Sequence, residues 1–310
     1  MRTVPIPRRG RRWARIAGWG PSLLAPARRP DDRLATTPGD DHSSAWRRRT
    51  GGLCVIEVLG ARGLAAGRKA GRFVGGTLDE LRGRIAVGTN LLEIDEWARE
   101  LIASAGAESC YVDYAPPFGR GPFGRVICTS VNDAVLHGLP HDYALADGDL
   151  LTLDFAVSID GCVADAATSF VVGTTVDPAD QHLIETTRTA LSAGIAAAGP
   201  HARVGDVSEA IGTVLRGAGY RVNTDFGGHG VGSTMHQDPH IPNDGRAGRG
   251  LRLQPGLLLA IEPWVMRDTD ELVTDDDGWT LRSATGCRTA HSEHTIAITA
   301  RGVEILTPHQ

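Results

Sequence analysis

The chain has 310 residues, is 41% hydrophobic and carries a net charge of −5, a composition typical of a globular protein. No run of about 18 apolar residues occurs, so the sequence predicts no membrane-spanning helix. The five cysteines are odd in number, scattered and free of CxxC pairs, which argues against a disulfide framework or a zinc ribbon and favours a reducing cytoplasm.

The first 50 residues differ from the rest in charge, with twelve Arg, four Asp and neither Lys nor Glu. The remainder is therefore acidic, which is not typical of a nucleic-acid-binding protein. Because Arg, Pro and Gly are abundant and no helical or strand period is sustained, we predict a disordered basic extension at residues 1–52 and a folded domain at 53–310. The extension could be a solvated tail, an arm for ribosomal RNA or a proline-binding module, a twin-arginine-like export signal or an organellar address.

Apolar residues recur at helical spacing in four segments, residues 66–87, 90–106, 177–199 and 206–217. Asn90 and Glu93 form a capping-box pattern at the start of the second segment. Asp177 and Pro178 provide a cap and a first helical residue for the third. Strand-like segments follow each pair of helices, so the sequence predicts an α+β fold built from a duplicated helix–helix–strands unit.

The segment "LDFAVSIDGCVADAATSF" predicts a β-hairpin that contains two acids, Asp154 and Asp165. With a tight turn at residues 158–161, antiparallel pairing brings Asp154 within about one residue of direct opposition to Asp165, with Cβ atoms roughly 5 Å apart. Two ionised carboxylates this close destabilise a partly buried site unless a cation or a shared proton lies between them. The alternative is that both acids lie on the solvated face of an edge hairpin.

Three more residues extend this pattern. His229 is surrounded by glycines that allow close approach of a ligand, Glu262 ends the apolar run "LLLAI", and Glu293 begins another apolar strand. Four carboxylates and one imidazole are too many ligands for one zinc ion and suit two divalent ions, whose charge the four carboxylates balance. Paired ions lower the pKa of a bound water, so hydrolysis is the predicted reaction class.

Residues 53–310 resemble the type I methionine aminopeptidases, metallo-aminopeptidases of the pita-bread fold. Six motifs carry the resemblance: "ICTSVNDAVLHGLP" (127–140), "LDFAVSIDGCVADAATSF" (153–170), "GGHGVGSTMHQDPHIPN" (227–243), "LAIEPW" (259–264), "DGWTL" (277–281) and "AHSEHTIAIT" (290–299). The resemblance implies a pita-bread fold with its site on a central antiparallel sheet, and makes residues 53–310 the catalytic domain.

The resemblance also implies two divalent metal ions (Mn, Fe, Co or Zn) and the roles of individual residues. The implied ligands are Asp154, Asp165, His229, Glu262 and Glu293. In the family pattern Asp165 and Glu293 bridge the ions, Asp154 belongs to one, and His229 and Glu262 belong to the other. His137, His236 and Glu262 are the implied catalytic residues: His137 near the scissile amide nitrogen, His236 at the substrate carbonyl and Glu262 as a proton shuttle.

The methionine-binding residues implied by the resemblance are mostly aromatic or contain sulfur, which suits a thioether side chain. They are Tyr114, Phe123, Cys128, Met235 and Trp279, together with His137 and His236, and Cys110 is a less secure match. One segment departs from the family pattern. The loop "APPFGRGPFGR" (115–125) is several residues longer than usual and contains two Arg. The resemblance therefore does not define the rim of the pocket.

The implied function is removal of the initiator methionine from nascent proteins and peptides with a small second residue. Its partner is the N-terminal methionine of a nascent polypeptide, with ribosome contact through the basic tail, and we expect a cytoplasmic monomer without membrane contact. Two alternatives stay open: an Xaa-Pro aminopeptidase or dipeptidase of the same fold, and a pita-bread binding protein without catalysis. The 52-residue extension is too short for the N-terminal domain that the Xaa-Pro enzymes usually have.

Overall fold

The computed structural model of the protein describes residues 46–48, 54–116 and 119–309. The described residues form four helices: α1 (Ala61–Arg84), α2 (Leu91–Ala105), α3 (Pro178–Ala197) and α4 (Val204–Gly217). The strands of the described residues are β1 (Trp46–Arg48), β2 (Cys54–Ile56), β3 (Glu108–Ser109), β4 (Cys128–Val131), β5 (Ala134–Leu136), β6 (Leu150–Ile159), β7 (Cys162–Val171), β8 (Gly227–Val231), β9 (Gln237–Pro242), β10 (Leu258–Ile261), β11 (Trp264–Met266), β12 (Leu272–Thr274), β13 (Leu281–Ser283), β14 (Thr289–His291), β15 (Glu293–Thr299) and β16 (Gly302–Ile305).

The helix boundaries follow from local capping, and α2 lies as predicted. The Asn90 side chain accepts a hydrogen bond from the Leu92 amide at 3.0 Å, and Glu93 accepts one from the Asn90 amide at 2.8 Å. Gly106 ends the helix in the left-handed conformation, with φ of 61°. At the start of α3, Asp177 accepts from the Ala179 amide at 2.8 Å, as its capping role predicts.

Two helices begin earlier than predicted. Helix α1 begins at Ala61 rather than residue 66, because it follows Gly60, which has an extended backbone and offers no capping side chain as a start signal, and it ends at Arg84 rather than residue 87, where Ile85 is extended. Helix α4 begins at Val204 because Asp206 is its third residue, and its carboxylate accepts from the Arg203 amide at 2.7 Å. The order helix, helix, strands occurs twice along the chain, as predicted.

A nine-stranded sheet lies at the centre of the described fold, and all its strand pairings are antiparallel. Its path is β3-β6-β7-β15-β10-β8-β9, with β4 on β6 and β16 on β15. The helices cover one face. Helices α1 and α2 pack against one half of the sheet around Phe155, and α3 and α4 pack against the other half around Ile296. Because side chains alternate along a strand, the even-numbered residues of β6 and their neighbours point to the face without helices.

The hairpin of β6 and β7 has a different register from the predicted one. Its turn is the two residues Asp160 and Gly161, both with positive φ (54° and 75°), so Ile159 pairs with Cys162. Asp154 therefore lies opposite Ala167, two residues away from direct opposition to Asp165, and the prediction of about one residue is wrong. An offset of two residues keeps both acids on the same face as diagonal neighbours. The hairpin lies inside the sheet, which also rules out the edge-hairpin alternative.

The prediction of a disordered extension at residues 1–52 falls almost entirely outside the described residues. Within that range the structure describes only the backbone of Trp46–Arg48, which forms β1 and pairs with β2. In the part of the chain that the structure describes, no helix is both long enough and apolar enough to cross a bilayer.

Candidate metal centre

Five neighbouring strands of the sheet each place one of the predicted ligands on the face without helices. The strands follow one another in the order β6, β7, β15, β10 and β8. The residues, in that order, are Asp154, Asp165, Glu293, Glu262, which follows the last residue of β10, and His229.

Alanines lie next to these ligands across the strand pairs. Ala167 of β7 lies opposite Asp154 on one side and opposite Glu293 on the other, and Ala260 lies opposite His229. Both alanines are fully buried. Because a methyl group occupies little of the space beside each ligand, the surface of the sheet forms a polar hollow at this point.

The ligand atoms converge in the hollow. Atoms of Asp165, His229 and Glu293 lie within 4.8 Å of one another, and His229 Nε2 lies 3.5 Å from Glu262 Oε1. Asp165, Glu293 and His229 are buried, whereas Asp154 and Glu262 are partly buried. Asp154 accepts a hydrogen bond from the Tyr111 hydroxyl at 2.6 Å, and the same hydroxyl lies 3.4 Å from Asp165 Oδ1. The five predicted ligands therefore form one cluster.

Burial makes the negative charge of this cluster unfavourable. It raises the pKa of Asp154 to about 6. Burial, followed by repulsion from neighbouring carboxylates, raises the pKa values of Glu262 and Glu293 well above their ordinary range. Burial also lowers the pKa of His229 well below 6.5, so its imidazole is neutral at pH 7 and has a lone pair available for a metal ion.

The residues present fit divalent cations. Glu293 Oε1 is buried and has no hydrogen-bond partner among the described residues. Leaving such an oxygen unpaired costs free energy, and a bound cation would remove that cost. Carboxylate oxygens and an imidazole are ligands for Mn²⁺, Fe²⁺, Co²⁺ and Zn²⁺. The cluster therefore has the donor set, the charge and the unsatisfied oxygen that a metal centre requires.

An aromatic pocket adjoins the cluster within the same cleft. The Phe123 ring lies 5.1 Å from the Trp279 ring, edge to face, and Tyr114 lies 6.2 Å from Trp279, measured between centroids. The predicted pocket residues Tyr114, Phe123, Cys128, Met235 and Trp279 all line this cleft. Cys110 packs against the same apolar cluster but is not among the described residues that line the cleft.

The two predicted catalytic histidines also line the cleft. His236 is exposed, and its ring lies 4.4 Å from that of His229 and 5.4 Å from that of Tyr114. His137 has a left-handed backbone with φ of 56°, and burial lowers the pKa of its imidazole to about 4. Both histidines thus lie within the cleft that contains the ligand cluster.

Sequence reasoning missed two polar residues at this site. Tyr111 lines the cleft and contacts both hairpin acids, and its position three residues before Tyr114 is the only signal in the sequence. His291 is fully buried, with Nε2 3.8 Å from Glu262 Oε2. His291 precedes Glu293 by two residues in a strand-like segment, and side chains two residues apart on a strand lie on the same face. This spacing was the sequence signal that His291 lies near Glu293.

Comparisons with known proteins agree with this geometry. The family model described as metallopeptidase family M24 matches residues 65–300. Methionine aminopeptidase 1 of Mycobacterium tuberculosis is 42% identical over 266 residues, which cover 84% of this chain and 97% of that protein. Methionine aminopeptidase 1 of Bacillus subtilis is 38% identical over 247 residues, which cover 79% and 96%.

Solved structures show the same fold. The crystal structure of methionine aminopeptidase from Thermotoga maritima matches with a TM-score of 0.77 and 35% identity, covering 82% of this chain and all of that one. Prolidase from Pyrococcus furiosus matches with a TM-score of 0.66 and 19% identity, covering 82% of this chain and 66% of that one. The predicted pita-bread fold is therefore confirmed, and at 19% identity the likeness to prolidase concerns the fold alone.

Proposed function

This chain belongs to metallopeptidase family M24, and from that membership we propose that it is a methionine aminopeptidase. Its substrate would be the N-terminal methionine of nascent proteins and peptides whose second residue is small. The observation that supports this most directly is the convergence of four carboxylates and His229 beside an aromatic pocket in one cleft. Metal-dependent hydrolysis and recognition of one apolar side chain are thereby brought together.

We propose that the cluster holds two divalent ions, of Mn, Fe, Co or Zn. The ligands would be Asp154, Asp165, His229, Glu262 and Glu293. Four buried or partly buried carboxylates balance the charge of two such ions, whereas a single ion would leave two negative charges uncompensated in the cluster. When bound, the ions would supply a water that ionises near neutral pH and would polarise the scissile carbonyl.

The protein side chains would perform the remaining steps. The pocket binds the methionine side chain through aromatic edges and the sulfur atoms of Cys128 and Met235. His236, at the mouth, donates a hydrogen bond to the substrate carbonyl oxygen as negative charge develops there. His137 is neutral because burial lowers the pKa of its imidazole to about 4, so it contacts the scissile amide region without adding charge. Glu262 accepts a proton from the attacking water and returns it to the departing amine.

A peptide assay tests the proposed function. We expect Met-Ala-Ser to be cleaved to free methionine, cleavage to stop with a chelator, and divalent metal to restore it. Asp165→Ala should reduce kcat/KM by at least about 1,000-fold, because this residue is a buried ligand of the proposed centre. Full activity in the presence of chelator, or in Asp165→Ala, would contradict the proposal.

Substrate selectivity separates the proposal from the Xaa-Pro alternative. Met-Ala and Met-Gly peptides should be cleaved, whereas Met-Lys and Ala-Pro should not. Preference for Ala-Pro would favour an Xaa-Pro peptidase, and equal cleavage of all the methionine peptides would refute the restriction to small second residues. The binding-protein alternative predicts less than about one tightly bound divalent ion per chain and no activity after addition of Mn²⁺ or Co²⁺.

A further inference from the structure

His291 is a buried histidine whose backbone is fixed at the edge of the ligand cluster. It is the last residue of β14 and pairs with Trp264 of β11. Its amide donates to Ser169 Oγ at 2.9 Å, and its carbonyl accepts from the same hydroxyl at 2.8 Å. The residue is 1% exposed. Because the backbone is held on both sides, the direction of the imidazole is set by the fold.

The imidazole points at two of the proposed metal ligands. Its Nε2 lies 3.8 Å from Glu262 Oε2 and 4.0 Å from Glu293 Oε2. Neither ring nitrogen has a hydrogen-bond partner among the described residues. Both separations exceed the usual hydrogen-bond range of about 2.7–3.2 Å. A buried ring with both nitrogens unpaired costs free energy, which indicates that a group absent from the protein itself completes this site.

The measured separations allow His291 to share an ion with either glutamate. Nitrogen and oxygen ligands lie about 2.0–2.2 Å from a divalent transition metal, so two ligands of the same ion are at most about 4.4 Å apart. The separations of His291 Nε2 from Glu262 and Glu293 are both below that limit, and so is the 3.5 Å between His229 Nε2 and Glu262 Oε1. The Glu262 carboxylate therefore lies between two imidazoles, with one oxygen facing each.

We propose that His291 is an additional metal ligand, which binds through Nε2 to the ion held by His229, Glu262 and Glu293. This inference rests on the metal centre of the proposed function. It gives that ion two imidazole ligands instead of one and adds no charge to the carboxylate cluster. Imidazole favours Zn²⁺, Fe²⁺ and Ni²⁺ relative to Mn²⁺, so His291 would move the preference of this site away from Mn²⁺.

Counting the coordinated imidazoles tests the proposal directly. The full chain, labelled with ring-¹⁵N histidine and freed of metal, would be titrated with Zn²⁺ and followed by long-range ¹H–¹⁵N NMR. We expect Nε2 signals of two histidines to move to the position of a zinc-bound nitrogen. One of these two zinc-shifted signals should be absent in His229→Leu and the other signal should be absent in His291→Leu. A single zinc-bound histidine nitrogen in the native chain would overturn the proposal, including the case in which His291 only donates a hydrogen bond to Glu262.

Metal affinities provide a second measurement. We expect His291→Leu to weaken Zn²⁺ binding by at least about 10-fold and Mn²⁺ binding by less, as determined by competition with a chromogenic chelator. His294→Leu is the matched control, since His294 is also next to Glu293 but its Nδ1 contacts Thr307 Oγ1 at 3.2 Å instead of the cluster. Equal affinities in His291→Leu and the control would contradict the proposal.

These measurements are independent of turnover. If His291→Leu does not fold, the imidazole count in the native chain still decides the question. A chain that binds zinc through both imidazoles but does not cleave Met-Ala-Ser would refute the proposed function and leave the role of His291 intact. A chain that cleaves the peptide but coordinates zinc through one imidazole would support the proposed function and refute the role of His291.

Discussion

The Tyr111 hydroxyl links the two acids of the hairpin. It donates to Asp154 at 2.6 Å and lies 3.4 Å from Asp165 Oδ1, in a buried position. Groups that hydrogen-bond to metal ligands orient them, and their loss commonly costs about 10–100-fold in metal affinity. Tyr111 therefore acts as a positioning residue for the carboxylate that it contacts, in addition to lining the cleft.

We expect Tyr111→Phe to weaken Mn²⁺ or Co²⁺ binding by about 10–100-fold, as measured by isothermal titration calorimetry. Tyr143→Phe is the matched control, because the Tyr143 hydroxyl donates to Asp149 at 2.8 Å and neither residue lines the cleft. Equal metal affinities in the two variants would show that the Tyr111 hydroxyl does not support the ligands.

The carboxylates of the metal-free protein should make metal binding depend on pH. Burial raises the pKa of Asp154 to about 6, and raises the pKa values of Glu262 and Glu293 as well. Near pH 6 part of these groups is protonated, and a cation binds only to the ionised form, so binding releases protons. His229 releases none, because burial keeps its pKa well below 6.5.

Metal affinity should consequently rise as pH increases from about 5 to 7. Calorimetry at pH 6 in two buffers with different ionisation enthalpies measures the number of protons released. We expect net release in the native chain and a smaller number in Asp154→Asn. Affinity that falls with increasing pH, or proton uptake on binding, would contradict this prediction.

Helix α1 packs through a row of glycines spaced four residues apart, Gly67, Gly71 and Gly75. A Cβ added at Gly71 would lie 2.3 Å from the Leu306 carbonyl oxygen, and one at Gly75 would lie 2.3 Å from the Pro308 carbonyl oxygen. The C-terminal segment therefore lies directly on the backbone of α1. This close packing explains why a helix in this position contains residues of low helix propensity.

Two adjacent glycines of α1 provide a matched pair for stability. Gly75→Ala should lower the free energy of unfolding by about 1–3 kcal/mol, because the added methyl overlaps the Pro308 carbonyl. Gly76→Ala should raise it by about 0.5–1 kcal/mol, because a Cβ there meets nothing within 4 Å and alanine favours the helix. Urea unfolding followed by circular dichroism measures both. Equal effects of the two substitutions would contradict this packing arrangement.

The described part of the loop at residues 115–125 contributes to the wall of the pocket. Its Gly119 lies against Trp279, such that an added Cβ would be 2.7 Å from the indole Cζ2. The Arg120 side chain lies over Gly278 and donates to the Asp276 carbonyl at 3.3 Å. Phe123, at the other end of the loop, contacts the Trp279 ring from its edge. The loop thus supports Trp279 from two sides.

We expect Gly119→Val to displace Trp279 into the pocket and raise KM for Met-Ala-Ser by about 10-fold, which corresponds to the ~1.4 kcal/mol typical of mild overpacking. Metal affinity should stay unchanged, since Gly119 is not part of the ligand cluster. Steady-state kinetics and metal titration of the same variant provide the test and its internal control. A normal KM would show that the loop does not shape the pocket.

The proposed metal centre joins the two helix–helix–strands units of the chain. Asp154 and Asp165 come from the first, and His229, Glu262 and Glu293 come from the second. The described residues from Trp46 onward belong to one compact unit, and among them every proposed ligand and every residue that lines the cleft lies at or after Tyr111. We propose that residues 53–310 are the catalytic domain and that the basic extension serves another role, such as ribosome contact.

A chain that lacks residues 1–50 should therefore keep its melting temperature close to that of the full chain and its kcat/KM for Met-Ala-Ser within about twofold. Thermal denaturation and the peptide assay measure the two quantities. Loss of folding on removal of these residues would contradict the proposed division. Weaker binding to ribosomes with unchanged peptide cleavage would support a docking role for the extension.

Much of the fold and most of the candidate site could be predicted from the sequence because the signals are local. Asn90, Glu93 and Gly106 mark the ends of α2 through contacts within a few residues, and the two helix pairs follow the predicted order. Glu262 and Glu293 stood out because an acid at the end of an apolar strand is unusual in any fold. The chemistry of the five ligands followed from residue types and their motifs.

The sequence by itself determined the order of helices and strands, the proposed donor set and the reaction class of this protein. Only the structure decided the hairpin register. Its turn consists of Asp160 and Gly161 instead of the predicted residues 158–161, and this difference shifts every residue pair along the two strands. It also decided which other side chains reach the cluster. The residue types of Tyr111 and His291 do not mark them as part of the site in the sequence. Their positions at the cluster depend on how five strands align side by side. Such alignment joins residues far apart in the chain, and no local period encodes it.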